Sequence, residues 1–247
     1  MVRFSLPPAP PLIKGLFVGD VTIGALAVVN FFVARALGVP RWDFLRSGAE
    51  TNLPTWYATI QLALIGLVLV PIVWDRVRWR RPTTWVLALP TVLFLMLSLD
   101  EAAMVHERVG LWLQSIGAGT DRFVETSPWL YVLAPIYGLI AVAAFRAWWP
   151  YVRHRPTVLA LGVGGVLLLG ACAAGLEGLM FLLEAQGTLL GRAMSVIEET
   201  GELIAATFIL WAALRLVEAE GIRVVRTPPD SDLVVASARA SVEPAEV

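Results

Sequence analysis

Apolar residues run along the chain in six long blocks: Gly15 to Leu37, Leu53 to Trp74, Thr84 to Val105, Trp129 to Trp149, Val158 to Leu183 and Ala193 to Val217. An α-helix needs about 20 such residues to cross the hydrocarbon core of a bilayer. The pattern therefore predicts an all-α integral membrane bundle of six transmembrane helices. Arginines gather between the blocks. DRVRWRR (Asp75 to Arg81) separates the second from the third, Arg146, Arg153 and Arg155 separate the fourth from the fifth, and Arg215, Arg223 and Arg226 end the sixth. With Arg3 and Lys14 at the start, the positive-inside rule puts both termini and these two loops in the cytoplasm. The other loops mix Arg41, Arg46, Arg108, Arg122 and Arg192 with acids and are expected outside.

Three units follow: a Pro-rich cytoplasmic lead-in over 1–14, a transmembrane domain over 15–217, and a disordered cytoplasmic tail over 218–247, where Pro, Ser, Asp and Glu replace the apolar pattern. Ala34-Arg35-Ala36 has the small-x-small form of a cleavage site, but the preceding apolar stretch exceeds a usual signal-peptide core and reads as a retained anchor. Asp20 and Asn30 within it are expected to face other helices. Between Arg108 and Ser127, apolar Val109, Leu111, Trp112, Leu113 and Ile116 precede Gly117-Ala118-Gly119, which suggests a short interfacial helix.

The third block turns acidic in FLMLSLDEAAMVHER before it is long enough to have crossed. In the predicted orientation Asp100, Glu101, His106 and Glu107 approach the outer surface, as do Glu177 and Glu184 of the fifth helix and Glu198, Glu199 and Glu202 of the sixth. Glu50 lies in the loop before the second, where Asn52 can cap the helix and Pro54 opens it. On a continuous helix Asp100 and Glu107 project within about 20° of each other, as do Glu177 and Glu184, and His106 joins them only if the helix unwinds near its end. Gly170, Ala174 and Gly178 form a small-residue stripe for close helix packing. Trp56, Tyr57 and Gln61 read as interfacial belt residues or as the lining of a cavity above the acids.

Composition agrees with the membrane reading: 57% of residues are hydrophobic and 16% charged, against about a quarter charged in soluble domains. Basic residues are spread between helices, so there is no nucleic-acid footprint. The one cysteine, Cys172, excludes an intramolecular disulfide and a CxxC site.

Carboxylates with one imidazole on facing helices form the ligand sets of Fe, Mn and Zn, with Ca²⁺ a weaker alternative. The candidate ligands are Asp100, His106, Glu107, Glu177, Glu198 and Glu202; Glu199 or Glu101, off the central stripes, would be the catalytic base. HExxH and ferritin-like ExxH spacings are absent. His154, in a basic loop, reads as a solvated charge partner.

ETNLPTWY, SLDEAAMVHE and IEETGE together resemble an uncharacterised family of small bacterial multipass membrane proteins, over most of residues 15–217. That resemblance implies no activity. The leading functional expectation is an inner-membrane, metal-dependent enzyme whose site faces outward and acts on a lipid or another membrane-associated substrate. The alternatives are a cation or proton-coupled transporter and an accessory subunit whose acids are salt-bridged to arginine.

Overall fold

The computed structural model describes residues 8–46, 52–78, 84–116, 129–183 and 188–221, and every regular element among them is helical. Glu50, Glu184, Arg122, the Gly117-Ala118-Gly119 break, residues 1–7 and residues 222–247 lie outside the described residues, as does the side chain of Glu177.

Helix α1 (Pro11–Leu37) starts inside the expected lead-in, with proline in its first turn, where the missing N–H removes no bond. It ends at Gly38, whose positive φ of 64° suits a residue without Cβ. Asn30 clamps the chain that follows, donating to the Trp42 carbonyl at 2.9 Å and accepting from the Trp42 N–H at 3.0 Å. It thus faces its own loop, and of Asp20 and Asn30 only Asp20 faces other helices. Asn52 caps α2 (Leu53–Arg78) as the sequence suggests, accepting from the Thr55 N–H at 2.8 Å.

The third apolar block is three helices: α3 (Thr84–Leu87), α4 (Leu89–Ala103) and α5 (Val105–Ser115). Pro90 has no N–H to continue the ladder, and the Trp148 indole donates to the Leu87 carbonyl beside this break at 3.0 Å. Then come α6 (Trp129–Val152), α7 (Pro156–Gly170), a π-helical stretch over Ala171–Leu176, α8 (Glu177–Leu182) and α9 (Leu189–Ala219).

Helix α9 is the axis. It packs against α1, α2, α7 and the π stretch, while α4 packs on the other side of α2 and against α6. Small residues set these distances. A Cβ on Gly165 would meet Ile209 and the Ala205 carbonyl, and one on Gly66 would meet Leu95 and Thr91. The expected stripe of Gly170, Ala174 and Gly178 does not do this, since a Cβ at Gly170 or Gly178 would meet nothing. The π stretch between those two glycines breaks the i, i+4 spacing on which the stripe depended.

Among the described residues, four helices are long and apolar enough to cross a membrane: Pro11–Leu37, Leu53–Asp75, Pro156–Met180 and Leu189–Ala219. The bent α4–α5 pair makes a fifth if it is one span. Large apolar side chains such as Val18, Phe32, Leu67, Leu139 and Leu167 are exposed on the outside of the bundle, as expected where lipid is the solvent. The interior is built around Ile65, Leu203, Ala206 and Leu210.

Candidate functional site

The acidic motif of the third block folds around a break. Helix α4 ends when Met104 enters the left-handed region, with φ 52° and ψ 44°, and its N–H closes on the Asp100 carbonyl. Leaving the right-handed region costs a non-glycine residue about 1–2 kcal/mol. The chain turns by 68° and α5 begins at once, with the Arg108 N–H on the Met104 carbonyl at 3.0 Å.

The Asp100 carboxylate holds the two helices together. It is 8% exposed; Oδ1 accepts the His106 backbone N–H at 2.8 Å and lies 3.2 Å from His106 Nδ1, while Tyr137 of α6 donates its hydroxyl to Oδ2 at 3.3 Å. One side chain thereby caps α5, orients an imidazole and ties the joint to α6.

The break changes what the motif presents. Asp100 and Glu107 no longer share a stripe, since Asp100 is buried and Glu107 is exposed on the bent segment. His106, which a continuous helix would turn away, pairs with Asp100. Glu101 and Glu107 lie close enough to act electrostatically on the same imidazole. The four polar groups of SLDEAAMVHE thus form one neighbourhood, and among the described residues none of its three acids pairs with arginine or lysine. Of the arginines expected in the outer loops, Arg46 pairs with Asp43 at 3.0 Å, and Arg192 sits 5.6 Å from the centre of the Phe31 ring. Burial, then the charges of Arg192 and Arg46, hold the Arg41 guanidinium below its ordinary value.

The acids of the sixth block lie on α9, and Glu177 of the fifth opens α8. The π stretch and α8, which opens with Glu177, pack on α9. The Cys172 thiol fills the space over Gly201, within electrostatic reach of Glu198 and Glu202. Glu198, Glu199 and Glu202 are half-buried. Helices α4 and α9 both pack on α2. Among the described residues no three His, Cys, Asp or Glu side chains are arranged to hold a metal ion.

A third polar group lies deeper. Asp20 of α1, Gln61 of α2 and Thr207 of α9 are each 0% exposed. Gln61 Nε2 donates to Asp20 Oδ1 at 2.8 Å and to Thr207 Oγ1 at 2.9 Å, and the Thr207 hydroxyl donates to Asp20 Oδ2 at 2.8 Å. Gln61 is therefore not a belt residue. The sequence offered only a weak signal for this group: an aspartate within a long apolar block.

A family model described only as a domain of unknown function (DUF8692) matches residues 15–217. The chain belongs to that family. The matched range takes in all three polar groups of this DUF8692 member, and no curated protein and no solved structure matches the chain.

Proposed function

We propose that the chain is an inner-membrane protein of six spans with both termini in the cytoplasm, and that it couples its work to proton movement at the α4–α5 joint, facing outward. The His106–Asp100 pair carries this reading. An imidazole changes charge near neutral pH, and here it is held against a buried carboxylate with Glu101 and Glu107 around it. Carboxylates at a membrane boundary need arginine, a cation or a proton to balance them, and no arginine pairs with these three among the described residues. This supports a proton-coupled transporter. Helix α6, 24 residues long, supplies the sixth span. The Arg155–Glu220 ion pair, 2.6 Å long, supports the same side for the α6–α7 turn and the end of α9, as the arginine distribution requires.

The second reading is an enzyme that uses Fe, Mn or Zn on a lipid or other membrane-associated substrate, with Glu101 or Glu199 as base. It is favoured by one observation: a carboxylate on His Nδ1 is how proteins orient metal-binding imidazoles. The described donors do not fit an ion by themselves, because Glu198 and Glu202 belong to α9 and the Glu177 side chain is outside the described residues. No step is therefore derived through a metal.

One pair of measurements separates the two readings. Protein purified without chelator should hold no stoichiometric metal, and in proteoliposomes it should pass protons down an imposed gradient, a flux lost in His106→Ala. Stoichiometric Fe, Mn or Zn that disappears in His106→Ala and Glu107→Ala, with no proton flux in the parent, would replace the transporter by the metal enzyme.

A further inference from the structure

The deep group at Asp20 stands apart from the joint, and its balance of donors and acceptors is unusual. Asp20, Gln61 and Thr207 lie at least about 12 Å from either end of their helices at 1.5 Å per residue. The walls are tight: a Cβ on Gly19 would collide with the Tyr57 hydroxyl and one on Gly24 with Thr200, while Phe17 and Phe208 stack edge to face at 5.1 Å.

The Gln61 amide gives both N–H bonds, one to Asp20 and one to Thr207, and the Thr207 hydroxyl gives its proton to the other Asp20 oxygen. Asp20 thus has two neutral donors and, among the described residues, no ion-pair partner. The titratable side chain facing it from α2 is Tyr57, whose hydroxyl donates to the Leu16 carbonyl at 3.2 Å; among the described residues, α1 and α9 present no charged group to it. Gln61 Oε1, fully buried, has no donor among the described residues.

We propose that Asp20 is a proton-binding site of the membrane domain, a carboxyl that holds its proton while α1, α2 and α9 are packed and exchanges it only when they part. A proton removes the uncompensated charge. The Thr207 hydroxyl, donor and acceptor alike, can accept the Asp20 O–H across the same 2.8 Å, its own proton then turning to a carbonyl one turn back in α9. A sodium ion suits the group less well, because an N–H donor and not an oxygen faces the carboxylate, and the helices leave no room for a Cβ on either side of Asp20.

The test is infrared difference spectroscopy on the full chain in lipid nanodiscs, in H₂O and D₂O, at neutral pH. The expected result is a protonated-carboxyl C=O band that exchanges slowly with D₂O. It should be missing in Asp20→Asn and move to higher frequency in Thr207→Val, which removes one hydrogen bond from the same carboxyl. If Asp20→Asn does not fold, the Thr207→Val shift alone assigns the band. Absence of the band in the parent, a band unmoved in Thr207→Val, or a spectrum that changes when choline replaces sodium would overturn the proposal. The joint is unaffected by any of these outcomes, since His106→Ala should leave this band in place.

Discussion

Replacing Asp100 by alanine should release α5 from α4. The substitution removes the acceptor for the His106 N–H, the partner of His106 Nδ1 and the acceptor of the Tyr137 hydroxyl. A hydrogen bond to a charged group contributes about 1.5–3 kcal/mol and a helix cap about 0.5–2 kcal/mol. The three contacts share one carboxylate and do not add, so a loss of about 2–3 kcal/mol in the docking of α5 is expected. Met104 makes the loss more telling, because its left-handed backbone costs about 1–2 kcal/mol and Asp100 helps to offset it. Every 1.4 kcal/mol is a factor of ten, so amides of Val105–Ser115 should exchange about 30- to 150-fold faster by hydrogen-exchange mass spectrometry, while α9 is unchanged. Asp100→Asn keeps an acceptor for the amide and the hydroxyl and should show a much smaller effect. Exchange in Val105–Ser115 within twofold of the parent after Asp100→Ala would refute the view that this side chain holds the joint.

Other substitutions probe the rest of the frame. Met104→Ile puts a β-branched residue at positive φ, where it is a steric outlier, and should weaken the same joint by about 1 kcal/mol or more; Met104→Gly should not, with α5 exchange as the readout. Gly24→Ala should destabilise the bundle by about 1–3 kcal/mol through collision with Thr200, and Thr200→Ala should recover most of that in a double-mutant cycle followed by thermal unfolding in detergent. Arg155→Ala removes the partner of Glu220 and should cost about 0.2–1 kcal/mol, an effect that fades at high salt and shows as faster exchange in the last turn of α9.

Much of the scaffold was legible because periodicity and caps act locally. The apolar blocks all became helices, and Asn52 caps α2 because its side chain needs only an N–H three residues on. The features that give the polar groups their geometry were not local. Met104 carries no signal of a break, since residues that mark one are normally glycine or proline; it turns because the Asp100 carboxylate and Tyr137 of a later helix reward the turn. Gln61 sits one turn from Trp56 and Tyr57 and was read by that company, while Thr207 is a single hydroxyl inside Leu203 to Leu214. Neither has meaning until α1, α2 and α9 are assembled. That α4 and α9 both pack on α2 is likewise an arrangement that spacing along one helix cannot report.

The π stretch at Ala171–Leu176 also sets how this family can tolerate a change in length. A wider turn accommodates an added residue, so a chain one residue shorter between Gly170 and Glu177 could close into plain α-helix. Everything after the cut would then rotate by about 100° and rise by about 1.5 Å relative to α9. Helix α8 would turn with it, although no acid had been touched. Single-residue deletions there should therefore separate a loss of alignment from a loss of charge, a distinction that substitutions at the acids themselves cannot make.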